Sequence, residues 1–159
     1  MNARELIENL QLKAHPEGGY YKETYRSSET MLLPGNKNRN LCTAIFFLLE
    51  NDDRSFFHRI QSDELWFFHQ GQPLEIVYIQ NDIMHTILLG NDLSKNEIPQ
   101  AMIPAHTWFA SRIKNASGYA LVSCTVSPGF DFADFEMAKR EDLLRQYPQW
   151  KNIIGEFTG

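Results

Sequence analysis

With only two cysteines in 159 residues, the chain has no disulfide framework to build on. Cys42 and Cys124 both fall in strand-like apolar runs, where reduced, buried thiols acting as small hydrophobes are expected. Long hydrophobic stretches are missing as well. The longest, Ala44 to Leu49, is far short of the roughly 20 residues that span a bilayer. The opening Met-Asn-Ala-Arg-Glu-Leu has no apolar signal-peptide core, so no membrane partner and a cytoplasmic location are expected. There is no stripe of lysine and arginine either. A formal charge of -5 without basic clusters argues against nucleic acid and for a small-molecule partner. No repeat, low-complexity tract or linker interrupts the chain. Residues 1–159 therefore read as one domain, and 43% hydrophobic residues supply its core.

What the sequence does contain is mostly strand. Asn2 and Glu5 form a capping-box pattern before Leu6, Ile7 and Leu10, which predicts a short N-terminal helix. Strands are then expected over 20–26, 41–49, 64–68, 74–79, 85–89, 101–103, 107–113 and 119–126, where β-branched and aromatic residues gather. Turn chemistry separates them, as at Pro34-Gly35-Asn36 and Gly90-Asn91-Asp92. About eight strands with no helices between them predict an antiparallel all-β sandwich or barrel. Beyond Glu136 the pattern changes, and two helical pieces around Leu143 and Ile153 are expected to pack outside it.

The chemistry-bearing residues are few. His58 and Glu64 lie close together in otherwise apolar sequence. Strand alternation puts Glu64, Trp66 and Phe68 on one face. An inward glutamate among aromatics needs a partner or a raised pKa. The stretch from His15 to Arg26 is polar for a strand and its lead-in, and Gly18 and Gly19 suit a tight turn or a close approach. One strand parity turns Glu23 and Tyr25 inward; the other turns Tyr20, Lys22, Thr24 and Arg26 inward. The first is preferred.

The segment from His58 to Gly71 resembles the first motif of the cupin superfamily, in which two histidines one residue apart precede a glutamate and a turn glycine. Ile60 stands where the second histidine would be. Four stretches resemble a small, mostly uncharacterised cupin branch: His-Pro-Glu-Gly-Gly at 15–19, Ser-Asp-Glu-Leu-Trp at 62–66 within that segment, Pro-Ala-His-Thr-Trp-Phe at 104–109, and the Cys124 to Phe135 ending. The resemblance implies a double-stranded β-helix, that is, a jelly-roll barrel, usually paired as a homodimer. In metal-dependent cupins a second motif supplies another histidine; the corresponding positions here are Pro104, His106 and Phe109. Only His58 and Glu64 of four ligands remain, so no metal or other cofactor is expected.

Three functions follow. The first is a metal-independent epimerase or isomerase acting on a carbohydrate-like or nucleotide-linked molecule. His58 and Glu64 would be catalytic, and Trp66, Phe68, Phe109, Glu23 and Tyr25 would line the ligand site. It rests on analogy with sugar-nucleotide epimerases of related fold, whose Arg-Gly-Leu-His sequence is absent. The second is a non-catalytic metabolite-binding or sensing module. A metal-dependent oxygenase is the third.

Overall fold

The computed structural model describes all residues from Met1 to Gly159. Helix α1 (Ala3–Leu10) begins as its capping box directs: Asn2 Oδ1 accepts from the Glu5 N–H at 3.0 Å, and the Glu5 carboxylate accepts from the Asn2 N–H at 2.8 Å. Its buried Leu6 packs with Leu12, Leu48 and Leu121 against the outside of the sheet.

Strands β1 (Lys13–Ala14), β2 (Tyr20–Arg26), β5 (Thr43–Glu50), β12 (Tyr119–Ser127), β7 (Asp63–Gly71) and β10 (Gln100–Ile103) form one antiparallel sheet in the order β1-β2-β5-β12-β7-β10. A second runs β13-β6-β11-β8-β9, from β13 (Glu136–Met137), β6 (Arg54–Arg59), β11 (Trp108–Ile113), β8 (Leu74–Gln80) and β9 (Ile83–Leu89). The inner faces meet through Phe47, Leu49, Trp66, Ile76, Phe109 and Val122, all close to fully buried.

The expected barrel does not close; both sheets are open. At one seam β9 reaches the segment before β10 only through an isolated bridge, Leu89 with Ile98, and the loop between these two residues carries a 3-10 turn (Leu93–Lys95). At the other, the edge strands β1 and β13 do not pair, and the His15–Gly19 loop meets β6 through a single backbone bond, Phe56 N–H to the Glu17 carbonyl, so no ladder continues there. Two packed sheets with short terminal helices, mostly β, is the architecture.

A separate hairpin, β3 (Thr30–Leu33) with β4 (Lys37–Asn40), stands outside both sheets. Helices α2 (Arg140–Gln146) and α3 (Lys151–Glu156) cover the outer face of the five-stranded sheet, burying Leu143, Ile154 and Phe157 against Phe57, Val77 and Trp108. No helix is long and apolar enough to cross a membrane.

Strand β6 was not expected, and its register gives the reason. Phe109 pairs with His58 and Ser111 with Ser55, so β6 carries an extra residue and its inward and outward positions do not alternate. Cys124 is buried in β12, as expected, whereas Cys42 sits half-buried just before β5 rather than inside a strand.

Candidate functional site

A cavity of about 400 Å³ opens between the sheets at the β2 and β6 seam. Strand β2 gives it Tyr21, Glu23 and Arg26; β5 gives Thr43 and Ile45; β12 gives Cys124 and Val126. Glu64 of β7 and His58 of β6 also line it, and Ile60 follows His58. Lys13, His15 and Glu17 come from the lead-in to β2, and Phe130, Asp131, Phe132 and Phe135 from the segment after β12, which caps the cavity.

Its central feature is an ion pair absent from the sequence reading. His58 Nε2 lies 2.7 Å from Glu17 Oε2, with both side chains under a tenth exposed. His58 Nδ1 lies 2.7 Å from the Phe56 carbonyl oxygen, which only accepts, so Nδ1 carries a proton. With Glu17 ionised, Nε2 must carry one too, and His58 is an imidazolium. Burial pulls its pKa down, but the Glu17 carboxylate and the Phe56 carbonyl outweigh that and hold it above the ordinary value. For Glu17, burial pushes up and His58 pulls down harder, leaving the carboxyl below its ordinary value. His15 differs: its Nδ1 accepts from the Glu17 N–H at 3.1 Å, and burial, with the His58 charge adding to it, keeps the ring neutral against the pull of Glu17.

Glu64 is the poised group. Burial raises its pKa to about 7; His58 opposes this, and the Glu17 charge adds to it. The neighbouring Cys124 thiol is pushed well up, first by burial and then by the Glu64 and Glu17 charges, so it reacts poorly while the cavity is closed and opening that relieves the burial restores its reactivity.

His58 and Glu64 therefore share a cavity, but His58 pairs with Glu17. Trp66 is 1% exposed and lies behind the cavity wall, edge-on to Phe47 and Phe109. Phe68 packs against the core, and Phe109 supports His58 from behind at 4.1 Å between ring centroids. None of these three lines the cavity. Glu23 does, whereas Tyr25 is 56% exposed and points away. The cause is a bulge in β2: Glu23 pairs with Ile45 but Tyr25 with Ala44, so parity switches at Thr24 and Arg26 turns inward instead.

Glu17, His15 and the phenylalanine cap were missed as site residues. Gly18 held the available signal. At φ +107° it lets the backbone approach β6, where a Cβ would collide with the Arg54 carbonyl oxygen. That approach lets the Phe56 N–H donate to the Glu17 carbonyl at 2.9 Å and brings the Glu17 side chain onto His58.

The cupin metal does not fit these residues. Ile60 and Phe109 offer no donor, both His58 ring nitrogens are committed to protein oxygens, and no three His, Cys, Asp or Glu side chains are grouped to hold an ion. The oxygenase reading loses its basis in this donor set.

Comparison with known proteins agrees with the architecture. The chain is similar to protein SO0799 of Shewanella oneidensis, whose crystal structure superposes with TM-score 0.92 at 41% identity, covering 100% of this chain and 98% of that one. It is 31% identical to the uncharacterized protein YML079W of Saccharomyces cerevisiae over 156 residues, 89% of this chain and 78% of the yeast protein. Oxalate decarboxylase of Bacillus subtilis shares the fold only, with TM-score 0.59 and 14% identity over 92% of this chain and 36% of that one. The model of the cupin superfamily family DUF985 matches residues 4–138, and the chain belongs to that family.

Proposed function

We propose that the cavity binds a small, carbohydrate-like molecule and moves a proton on it, as an epimerase or isomerase does, with Glu64 exchanging the proton. The carrying observation is Glu64 itself, buried in a cavity with a pKa of about 7 and so available as both acid and base near neutrality. As carboxylate it takes the proton from a carbon beside a carbonyl, leaving an enolate; as carboxylic acid it returns that proton, so no redox partner is consumed. The His58 imidazolium, fixed by Glu17, faces the negative charge that develops. This revises the role of His58 from base to fixed cation, because both its N–H groups already donate within the protein.

The charge pattern supports an uncharged reacting end. His58 is paired with Glu17, and Arg26 is spent on Glu23, Asn40 and the Phe130 carbonyl. Lys13 is the cavity cation with no carboxylate partner, and it lies over the Tyr21 ring. A phosphate-bearing or nucleotide-linked tail would extend toward it.

The test is proton exchange in D₂O. Aldoses, ketoses and sugar nucleotides are incubated with the protein, and loss of C–H signal is followed by proton NMR. Exchange that disappears in Glu64→Gln while binding persists is the expected result. A molecule that binds the cavity and leaves with every C–H intact would overturn it in favour of the sensing module, the reading that the committed His58 nitrogens favour. A homodimer belongs to the same reading and is checked by light scattering.

A further inference from the structure

The cavity cap is anchored in part by residues outside the cavity lining, Asn40, Arg39 and Asp134. Phe130, Phe132 and Phe135 form a cluster with centroids 4.9 to 6.3 Å apart, and Phe135 stacks on the His58 ring at 5.4 Å. Phe132 lies on a short 3-10 turn (Phe132–Asp134) that Phe130 and Phe135 flank, and the turn is too short to hold its place by its own hydrogen bonds. Its ends are tied down: the Gly129 N–H donates to the Asn40 carbonyl at 2.7 Å and the Phe130 N–H to Thr43 Oγ1 at 2.9 Å, while β13 joins β6 at the other end. The middle is held from the outer hairpin. Arg39 of β4 grips Asp134 with two parallel bonds, Nε to Oδ2 at 2.7 Å and Nη2 to Oδ1 at 2.9 Å. Both side chains are close to buried, 12% and 10% exposed, so solvent screens the pair far less than an open surface bridge. Lys37 Nζ, 3.8 Å from Asp134, and Asp131, 3.9 Å from Arg39, surround it without matching that fork.

We infer that Arg39 and Asp134 are positioning residues for this cavity: the hairpin exists to hold the phenylalanine cap over it, and the pair sets how far the cap admits a ligand. The pair holds the cavity wall whatever the ligand or reaction.

Cys124 provides a readout that needs no ligand. Its thiol lies on the cavity lining at 1% exposure, and Cys42 is the chain's other cysteine. In a Cys42→Ser background, alkylation of Cys124 by N-ethylmaleimide is timed by mass spectrometry at fixed pH, with thermal unfolding measured alongside. Arg39→Ala should speed alkylation by roughly tenfold or more, the change that about 1.4 kcal/mol makes in an opening equilibrium. The exchanged pair Arg39→Asp with Asp134→Arg should return it to within about threefold of the background rate. Should Arg39→Ala fail to fold, Arg39→Lys, which keeps the charge and loses the fork, should give an intermediate acceleration. An unchanged rate in the folded variant overturns the assignment, as does an acceleration that the exchanged pair leaves in place, since that is general loosening rather than a released cap.

Discussion

Removing the Glu17 charge should reverse the protonation of His58, because the carboxylate is what holds that buried ring charged. In Glu17→Gln, only the Phe56 carbonyl and the more weakly acting Glu64 charge oppose burial, and His58 becomes neutral at pH 7, which ¹⁵N shifts of the imidazole report directly. Leaving one member of a buried pair alone also costs about 3 to 5 kcal/mol, measurable by denaturant unfolding. The pH dependence has two opposite parts. His58, raised, stabilises fully below its unfolded value of 6.5 and loses this as pH climbs through its folded pKa; Glu17, lowered, stabilises above 4.5 and loses this on acidification. Glu64 works the other way: its pKa rises from 4.5 to about 7, so it costs stability progressively across that interval. Glu64→Gln should match the parent near pH 4 and exceed it at pH 8 by on the order of 2 to 3 kcal/mol in thermal or chemical unfolding. Glu64 was legible from its spacing to His58 and Gly71, with the period of two putting it on one face with Trp66. Glu17 was not: it sits in a glycine-flanked loop with no period, and its partner is 41 positions away in sequence.

Bulges decide which side chains reach the cavity. Those in β2 and β6 each insert one residue, and both fall at the site, where they place Arg26, Ser55 and His58 on faces that a period of two would not assign. This is why regular strands such as β8 and β12 could be read within a residue or two, whereas β6 escaped notice and Tyr25 was assigned to the wrong face. The turn before β2 is equally specific. Gly18→Ala would combine strain at positive φ with the collision against Arg54, and should cost well over about 1 kcal/mol. The ¹⁵N signature of His58 should change with it, since the displaced loop carries Glu17. A variant of normal stability with an unaltered His58 signal would refute this account of the loop.

The tail beyond residue 138 lies outside the match to the family model, yet it supplies half of a core. Ile154 and Phe157 are fully buried on the outer face of the five-stranded sheet, and Phe57, which sits beside His58 in β6, meets Phe157 edge-on. Phe157→Ala should therefore cost about 3 to 5 kcal/mol in urea unfolding, as a core truncation rather than a surface change. The sequence announced a mostly β architecture, both helical ends and the antiparallel order, because those rest on composition and periodicity. The closed barrel implied by the cupin resemblance was wrong, because closure depends on what fills the seams, and here loops and an isolated bridge do.

The open seams have a mechanical consequence. In a closed barrel, widening the interior means breaking a ladder of hydrogen bonds. Here the cavity lies between two sheets that share none across its mouth, where the Phe56 to Glu17 bond and the anchored cap bridge them instead. Widening the mouth strains that single backbone bond, the His58–Glu17 pair and the cap's anchors rather than a ladder, so compliance is built in where a ligand must pass, while every strand keeps its neighbours.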